Sequence, residues 1–316
     1  MSNRTGIICV VCASIAALLL GLMAWRMKKG RKEAPIAKVT VSEADEGEHY
    51  GGTVYSGTVT DVEGNAIEGA KLYILRYYRR FNAVSEAEGR YEMAWDVSKV
   101  PEPHRDIWII ARHEEKNLAS ATRVGAETRT QNITLLPGIT ATGTITDADG
   151  NAIENGTVYF AFTAAKGYIT SFADRSRFAA DSRGAYSVPF IPPENRYRVT
   201  FGAEGYGTEE IFFHTNDAVN GLVELRPAVL HKADEIISGL VVGPDGKGVA
   251  NVQVFRKSAG QPSGYEETDA DGRFTLSVCK GEVTLSAVVS MDGTFFAGRA
   301  KVASGTEGVK IVLEPR

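Results

Sequence analysis

Three short constellations in this sequence carry residue types that can do chemistry. His113-Glu114-Glu115 opens like the HExxH zinc helix, in which two histidines one turn apart hold the metal and the glutamate acts as base. Asn117 stands where the second histidine belongs and the segment reads as a strand, so no metal is expected there. Asp147, Asp149 and Gly150, and again Asp269, Asp271 and Gly272, begin like a calcium loop. An EF-hand needs a third ligand before the glycine and a glutamate near its twelfth position, and neither run has them. Turn formation accounts for both, with Asp61 and Asp147 as the places to look for a weak inter-module calcium site. The third constellation is Arg76, Tyr77, Tyr78, Arg79, Arg80 and Phe81, aromatic and arginine side chains of the kind enriched at binding sites, whose rings can stack on a sugar. The plainer reading is an edge or inter-module strand with packed aromatics and solvated arginines. Tyr159, Phe160, Phe162, Tyr168 and Phe172 share that double reading, alternating members belonging to a core. The remaining histidines, His49, His104, His214 and His231, are scattered near loops. No Ser/His/Asp, Cys/His or paired-carboxylate set is discernible, so no catalytic residue and no cofactor are expected.

The elements that would position such residues come from a stretch that recurs. SGTVTDVEGNAIEGAKL at Ser56 to Leu72 returns as TGTITDADGNAIENGTV at Thr142 to Val158 and as SGLVVGPDGKGVANVQV at Ser238 to Val254. Each copy has a glycine (Gly57, Gly143, Gly239), a second glycine seven residues on (Gly64, Gly150, Gly246) and aliphatics at fixed places beyond. Apolar and polar residues alternate around Val59, Ile145 and Val241, the period of a half-buried strand. An acidic residue followed by glycine then reverses the chain, because glycine takes positive φ without strain. A second element also repeats: Gly89 with Tyr91 and Met93, Gly184 with Tyr186 and Val188, Gly272 with Phe274 and Leu276. A third closes each copy: Ile133, Leu135, Pro137, then Val223, Leu225, Pro227, then Ile311, Leu313, Pro315, read as a last strand that proline ends. The central runs Ile107 to Ala111, Tyr197 to Phe201 and Val283 to Ala287 complete the apolar inventory.

Residues 6–25 carry no charge over twenty positions, about the length that crosses a hydrocarbon core as a helix. They are followed by RMKKGRK and not by a small-residue cleavage site, which favours an uncleaved anchor over a signal peptide. The positive-inside rule places the body in the cytoplasm, whereas sandwich arrays are mostly found outside it; an extracytoplasmic body is the expectation. Residues 1–32 hold six of the 35 basic residues and no acid, leaving 29 basic against 39 acidic residues beyond them, a net of −10. That balance excludes nucleic acid as a partner and leaves the membrane lipid, through residues 6–25, and a glycan or surface protein. Of three cysteines, Cys9 and Cys12 lie in the apolar segment, so Cys279 has no disulfide partner in the body.

The pattern G-x-V-x-D-x-x-G-x-x-I-x-x-A-x-L, followed by a polar turn, glycine and aromatic, resembles the carboxypeptidase regulatory-like domain, a transthyretin-like Greek-key β-sandwich, in three copies. The resemblance implies an all-β fold and a non-catalytic module grouped with carbohydrate-binding-like sandwiches. Gly243 replaces the aspartate found as Asp61 and Asp147, a departure that leaves the fold untouched. The expected organisation is an anchor with basic flank at 1–32, a linker at 33–52, and sandwiches at 53–137, 138–229 and 230–316. The expected function is a membrane-tethered structural or adhesive protein, a semi-rigid row of sandwiches, with a carbohydrate-binding array as the alternative. Surface-pilin sandwiches carry a Lys to Asn isopeptide bond, and the first strands here offer no lysine for one.

Overall fold

Alternating apolar residues become strands at every copy of the repeat. A computed structural model of the protein describes residues 53–75, 83–95, 107–125, 128–163, 169–171, 178–291 and 293–316. The apolar segment at 6–25, the linker at 33–52 and the run from Arg76 to Phe81 lie outside the described residues, as do Tyr168, Phe172, His49 and His104. Among the described residues no helix is long and apolar enough to cross a membrane.

Module one comprises β1 (Thr53–Thr60), β2 (Lys71–Leu75), β3 (Ala83–Val84), β4 (Arg90–Trp95), β5 (Ile107–His113), β6 (Leu118–Val124), β7 (Ile133–Thr134) and β8 (Leu136–Pro137). Module two comprises β9 (Ile139–Asp147), β10 (Thr157–Thr163), β11 (Ile169–Ser171), β12 (Ala185–Ile191), β13 (Arg196–Gly202), β14 (Thr208–His214), β15 (Leu222–Glu224) and β16 (Ala228–Leu230). Module three comprises β17 (Glu235–Val242), β18 (Gln253–Arg256), β19 (Tyr265–Glu267), β20 (Arg273–Val278), β21 (Glu282–Met291), β22 (Thr294–Ala303), β23 (Val309–Val312) and β24 (Glu314–Pro315). Each set makes two sheets. In modules one and three the smaller sheet runs β4-β1-β7 and β20-β17-β23 and the larger β3-β2-β5-β6-β8 and β19-β18-β21-β22-β24; in module two the sheets have four strands each, β12-β9-β15 with β16 also on β9, and β11-β10-β13-β14. Pairing between these strands is antiparallel except where the seventh strand, and in module two also β16, runs parallel to the first.

The two recurring sequence elements meet across one ladder. Gly57 faces Tyr91, Gly143 faces Tyr186 and Gly239 faces Phe274, so the aromatic ring lies over a glycine that leaves it room. A Cβ on Gly57 would sit 2.0 Å from the Gln131 carbonyl oxygen, and one on Gly239 2.1 Å from that of Val309. The Tyr91 hydroxyl donates to Gln131 O at 2.7 Å, and burial pushes its pKa up to about 12. Phe274 carries no hydroxyl at the matching place, so the ring and not the phenol is the shared requirement.

The turn glycines share one conformation, with φ of 85° at Gly64, 83° at Gly150 and 77° at Gly246. Ahead of two of them an aspartate fixes the turn. Asp61 Oδ1 accepts from the amides of Glu63 and Asn65, each at 2.9 Å, and Asp147 Oδ1 accepts from those of Asp149 at 3.0 Å and Asn151 at 2.9 Å. The asparagine side chains donate to the other carboxylate oxygen, both at 3.0 Å. Where Gly243 takes the aspartate's place, Asp245 Oδ1 accepts from Lys247 N at 3.1 Å instead. These carboxylates are therefore engaged in their own turns.

The closing prolines do something other than the expected. In modules one and three the chain leaves the smaller sheet at Leu135 and Leu313 and joins the edge of the larger, where Pro137 pairs with Leu118 and Pro315 with Phe296. An edge strand asks no further donor of proline, so the residue sits in a new strand and does not end the old one. In module two Pro227 falls between β15 and β16, both of which stay on β9.

Between the sheets of module one lie Tyr55, Val59, Leu72, Ile74, Ile109 and Ile133. Module three has Ile237, Val241, Val254, Leu285 and Ile311 at matching register positions. Module two is more aromatic, with Phe160, Phe162, Phe178, Tyr197, Phe201 and Phe213. Each buried aliphatic or aromatic contributes about 1.5 to 3 kcal/mol by transfer.

The turn carboxylates make stability acid-sensitive. The Asn65 side chain holds Asp61 below its ordinary value of 3.8, the Asn151 side chain does the same for Asp147, and the Arg183 amide for Asp181. A depressed folded pKa lends stability that is complete above the unfolded value and is lost as pH falls through the folded one. The melting-temperature gap between wild type and Asp147→Asn is expected to be level from neutral pH down to the ordinary value of 3.8 and to close below it. Calorimetry against pH measures it, and a gap that persists at lower pH contradicts the assignment.

Candidate functional site: module junctions and the face of module three

Two tight joints connect the modules. At the first, the turn between β5 and β6 puts Asn117 at φ 47°. Its side chain donates to Gly138 O at 3.0 Å and accepts from Phe190 N at 3.0 Å, while its carbonyl accepts from Gly138 N at 2.7 Å. Beside it Arg112, 2% exposed, lays its guanidinium 4.9 Å from the centre of the Tyr73 ring and 5.6 Å from that of Phe190. Trp108 meets Phe162 edge to face at 4.8 Å, and Ile110 is buried in the cluster of module two. The outer face of the larger sheet of module one is thus covered by the end of module two where β10 and β12 finish.

At the second joint, the turn between β13 and β14 meets the matching end of module three. Gly207 N donates to His231 O at 2.9 Å, and Thr208 Oγ1 donates to Gln261 O at 3.0 Å. Gln261 clamps Cys279 on both sides, accepting from its amide at 2.8 Å and donating to its carbonyl at 3.1 Å. The Cys279 thiol donates to His231 O at 3.3 Å. Burial pushes the thiol pKa up, which keeps it protonated and a poor nucleophile at neutral pH. This cysteine is a packing residue.

One concave feature lies on module three. Asn251, Gln253, Val288, Val289, Ser290 and Phe295 line a shallow cleft of about 210 Å³ on the outer face of the larger sheet. Enclosed small-molecule sites run to about 300 to 1,000 Å³, and this open cleft falls below that range. Phe295 is 47% exposed, and nearby Tyr265, 45% exposed, packs against Phe255 at 5.2 Å with Lys257 over the Phe255 ring at 4.4 Å.

Of the residues marked in the sequence, Arg76, Tyr77, Tyr78, Arg79, Arg80 and Phe81 fall outside the described residues. Phe160 and Phe162 are core and Tyr159 is half-buried. Among the described residues no group of three or more His, Cys, Asp or Glu is placed to hold a metal. His113 Nδ1 accepts from Lys116 N at 3.3 Å, and His214 Nδ1 from Asn216 N at 3.0 Å. The joints and the cleft were not read from the sequence. The signal for the first joint was there: in Trp108-Ile109-Ile110-Ala111 both faces of the strand are apolar, the mark of burial on both sides.

No family model matches the sequence, and no curated protein does. Among solved structures the chain is similar to a streptococcal ancillary pilin, at 12% identity over 84% of this chain and 100% of that one, with a TM-score of 0.28. It is also similar to the Bacillus anthracis TIE protein, at 12% identity over 84% of this chain and 51% of that one, TM-score 0.25. A third is BcpA, the major pilin subunit of Bacillus cereus, at 9% identity over 84% and 99%, TM-score 0.21. At such scores the likenesses carry no functional argument; the all-β assignment rests on the strand pairing.

Proposed function

We propose that the protein is a non-catalytic structural or adhesive protein of the cell surface, with carboxypeptidase regulatory-like, transthyretin-type Greek-key sandwiches at 53–137, 138–229 and 230–316. In this reading residues 6–25 tether it to a membrane and its body lies outside the cytoplasm. The observation that supports it is the pair of packed joints. Asn117 with Gly138 and Phe190, and Gly207 with His231 and Thr208 with Gln261, hold successive modules by hydrogen bonds and buried side chains. A protein that only linked independent binding modules has no need of fixed joints, whereas one that holds a partner at a set distance does.

Gly207→Val is the direct test of the joints. A Cβ there meets Gly260 O at 1.9 Å and Cys279 Sγ at 2.7 Å. The three cores are expected to stay folded while modules two and three lose their common orientation, read by residual dipolar couplings. Unchanged couplings contradict a spacer. Protease added to intact cells is expected to digest the body; protection contradicts the surface placement.

Tyr265 and Phe295 favour a second reading, a carbohydrate-binding array, because exposed rings beside the amides of Asn251 and Gln253 suit a stacked sugar. Glycan-array binding that is lost in Tyr265→Ala supports it, and silence across glycans favours the spacer.

A further inference from the structure

The outer faces of the larger sheets of modules one and three match row by row. Because Leu72 and Val254 close equivalent copies of the repeat, Tyr73 corresponds to Phe255 and Lys71 to Gln253. Tyr73 pairs with Ile110 and Phe255 with Ser286, while Lys71 pairs with Arg112 and Gln253 with Val288. On the sixth strands Ala119, paired with Arg112, corresponds to Ala297, paired with Val288. In module one this face packs on protein: Ile110 and Arg112 are at most 2% exposed, and Tyr73 rests on the cluster of module two. In module three Phe255 and Val288 are half-buried, and Tyr265 and Phe295 at the margins stay exposed.

The open face has a pattern of its own. One row across it reads Tyr265, Phe255, Ser286, Arg299, and the next reads Glu267, Gln253, Val288, Ala297. The large side chains Tyr265, Phe255 and Gln253 lie on β19 and β18, whereas the small residues of both rows, Ser286 and Ala297, lie on β21 and β22. Charge divides the same way, with exposed Glu267 on one side and exposed Arg299 on the other. A surface whose two halves differ in both size and sign fits a copy of itself turned by half a turn about an axis along the strands.

We propose that this face joins two copies of the chain about a twofold axis that runs between β18 and β21. The axis lays β19 of one copy over β22 of the other. Tyr265 then faces Arg299 of the second copy, and Phe255 faces its Ser286. Glu267 lies over Ala297 of the second copy, one row from the same arginine. Each contact occurs twice, as an isologous interface requires. A guanidinium set between an aromatic ring and a carboxylate is attracted by both, and side chains of two aligned sheets interdigitate in this way, large against small. Glu314, which pairs with Ala297 from β24, falls beyond the overlap and does not meet Glu267 of the second copy. Opposite charges at a rim steer association and make it salt-sensitive.

The test is sedimentation of the full chain in detergent micelles across a concentration series. Wild type is expected to pass from one copy to two as concentration rises, and to need a higher concentration in added salt. Arg299→Glu and Glu267→Arg, both on exposed side chains, are each expected to weaken pairing by about tenfold or more. Mixing the two variants is expected to restore it, because one contact then re-forms as in wild type and the other with its charges exchanged. Circular dichroism checks that each variant is folded. A wild type that stays a single copy at all concentrations overturns the proposal. So does pairing that neither variant weakens, as contact through residues 6–25 would give, and so do variants that stay apart when mixed. Glycan binding lost in Arg299→Glu without any self-association overturns it in favour of a sugar at this face. The packed joints, which Gly207→Val tests, stand or fall separately.

Discussion

Gly184→Ala is expected to unfold module two, whereas Gly150→Ala is expected to lower its stability by only about 1 kcal/mol. Both glycines have the left-handed backbone, φ 71° at Gly184 and 83° at Gly150, so conformational strain is the same for each. What differs is the space. A Cβ on Gly150 meets nothing within 4 Å, but one on Gly184 falls 2.3 Å from Ile145 O and 3.3 Å from Ile153 N. Those are backbone atoms of a hydrogen-bonded pair, Ile153 N donating to Ile145 O at 3.0 Å. They cannot yield without breaking the turn that joins β9 to the rest of the module. Loss of a special backbone site together with a steric clash is expected to cost about 4 kcal/mol or more. Denaturant melts of the two variants measure the difference, and equal costs would show that the second glycine has room the geometry denies it.

That contrast also marks what the sequence could reveal. Recurrence of Gly64, Gly150 and Gly246 and of Gly89, Gly184 and Gly272 is enough to predict turns and strands, because backbone geometry depends on residue type at short range. The facing of Gly143 and Tyr186 was hidden, since it needs the register between strands distant in the chain. The proline landmarks misled for a related reason: Pro137 and Pro315 were placed as terminators, but their role depends on which sheet edge the chain reaches next. The joints lay further out of sight. Asn117, Phe190, Gly207, Gln261 and Cys279 belong to no repeat, because the residues that fix one module on another differ at each joint. The aromatic and arginine run at Arg76 to Phe81 stands out by composition, whereas the cleft at Phe295 depends on the registers of β18, β21 and β22, which join residues distant in the chain.

The joint between modules one and two is expected to couple their unfolding. Phe160 is wholly buried among rings of its own module, 6.0 Å from Phe213, 6.4 Å from Phe178 and 6.5 Å from Tyr197. Phe162, two residues along the same strand, is 1% exposed and touches both Tyr197, at 5.8 Å, and Trp108 of module one, at 4.8 Å. Truncating either to alanine leaves a cavity and is expected to cost module two about 3 to 5 kcal/mol. The two differ in what happens to module one. Phe160→Ala leaves the Trp108 contact in place, so the modules are expected to melt together at a lower temperature. Phe162→Ala also removes the ring on which Trp108 rests, and Ile110 loses part of its cover. Its calorimetric trace is expected to split, with module one melting apart from module two. A single shared transition in Phe162→Ala, shifted no differently from that of Phe160→Ala, would mean that Arg112 and Asn117 hold the joint without the aromatic pair.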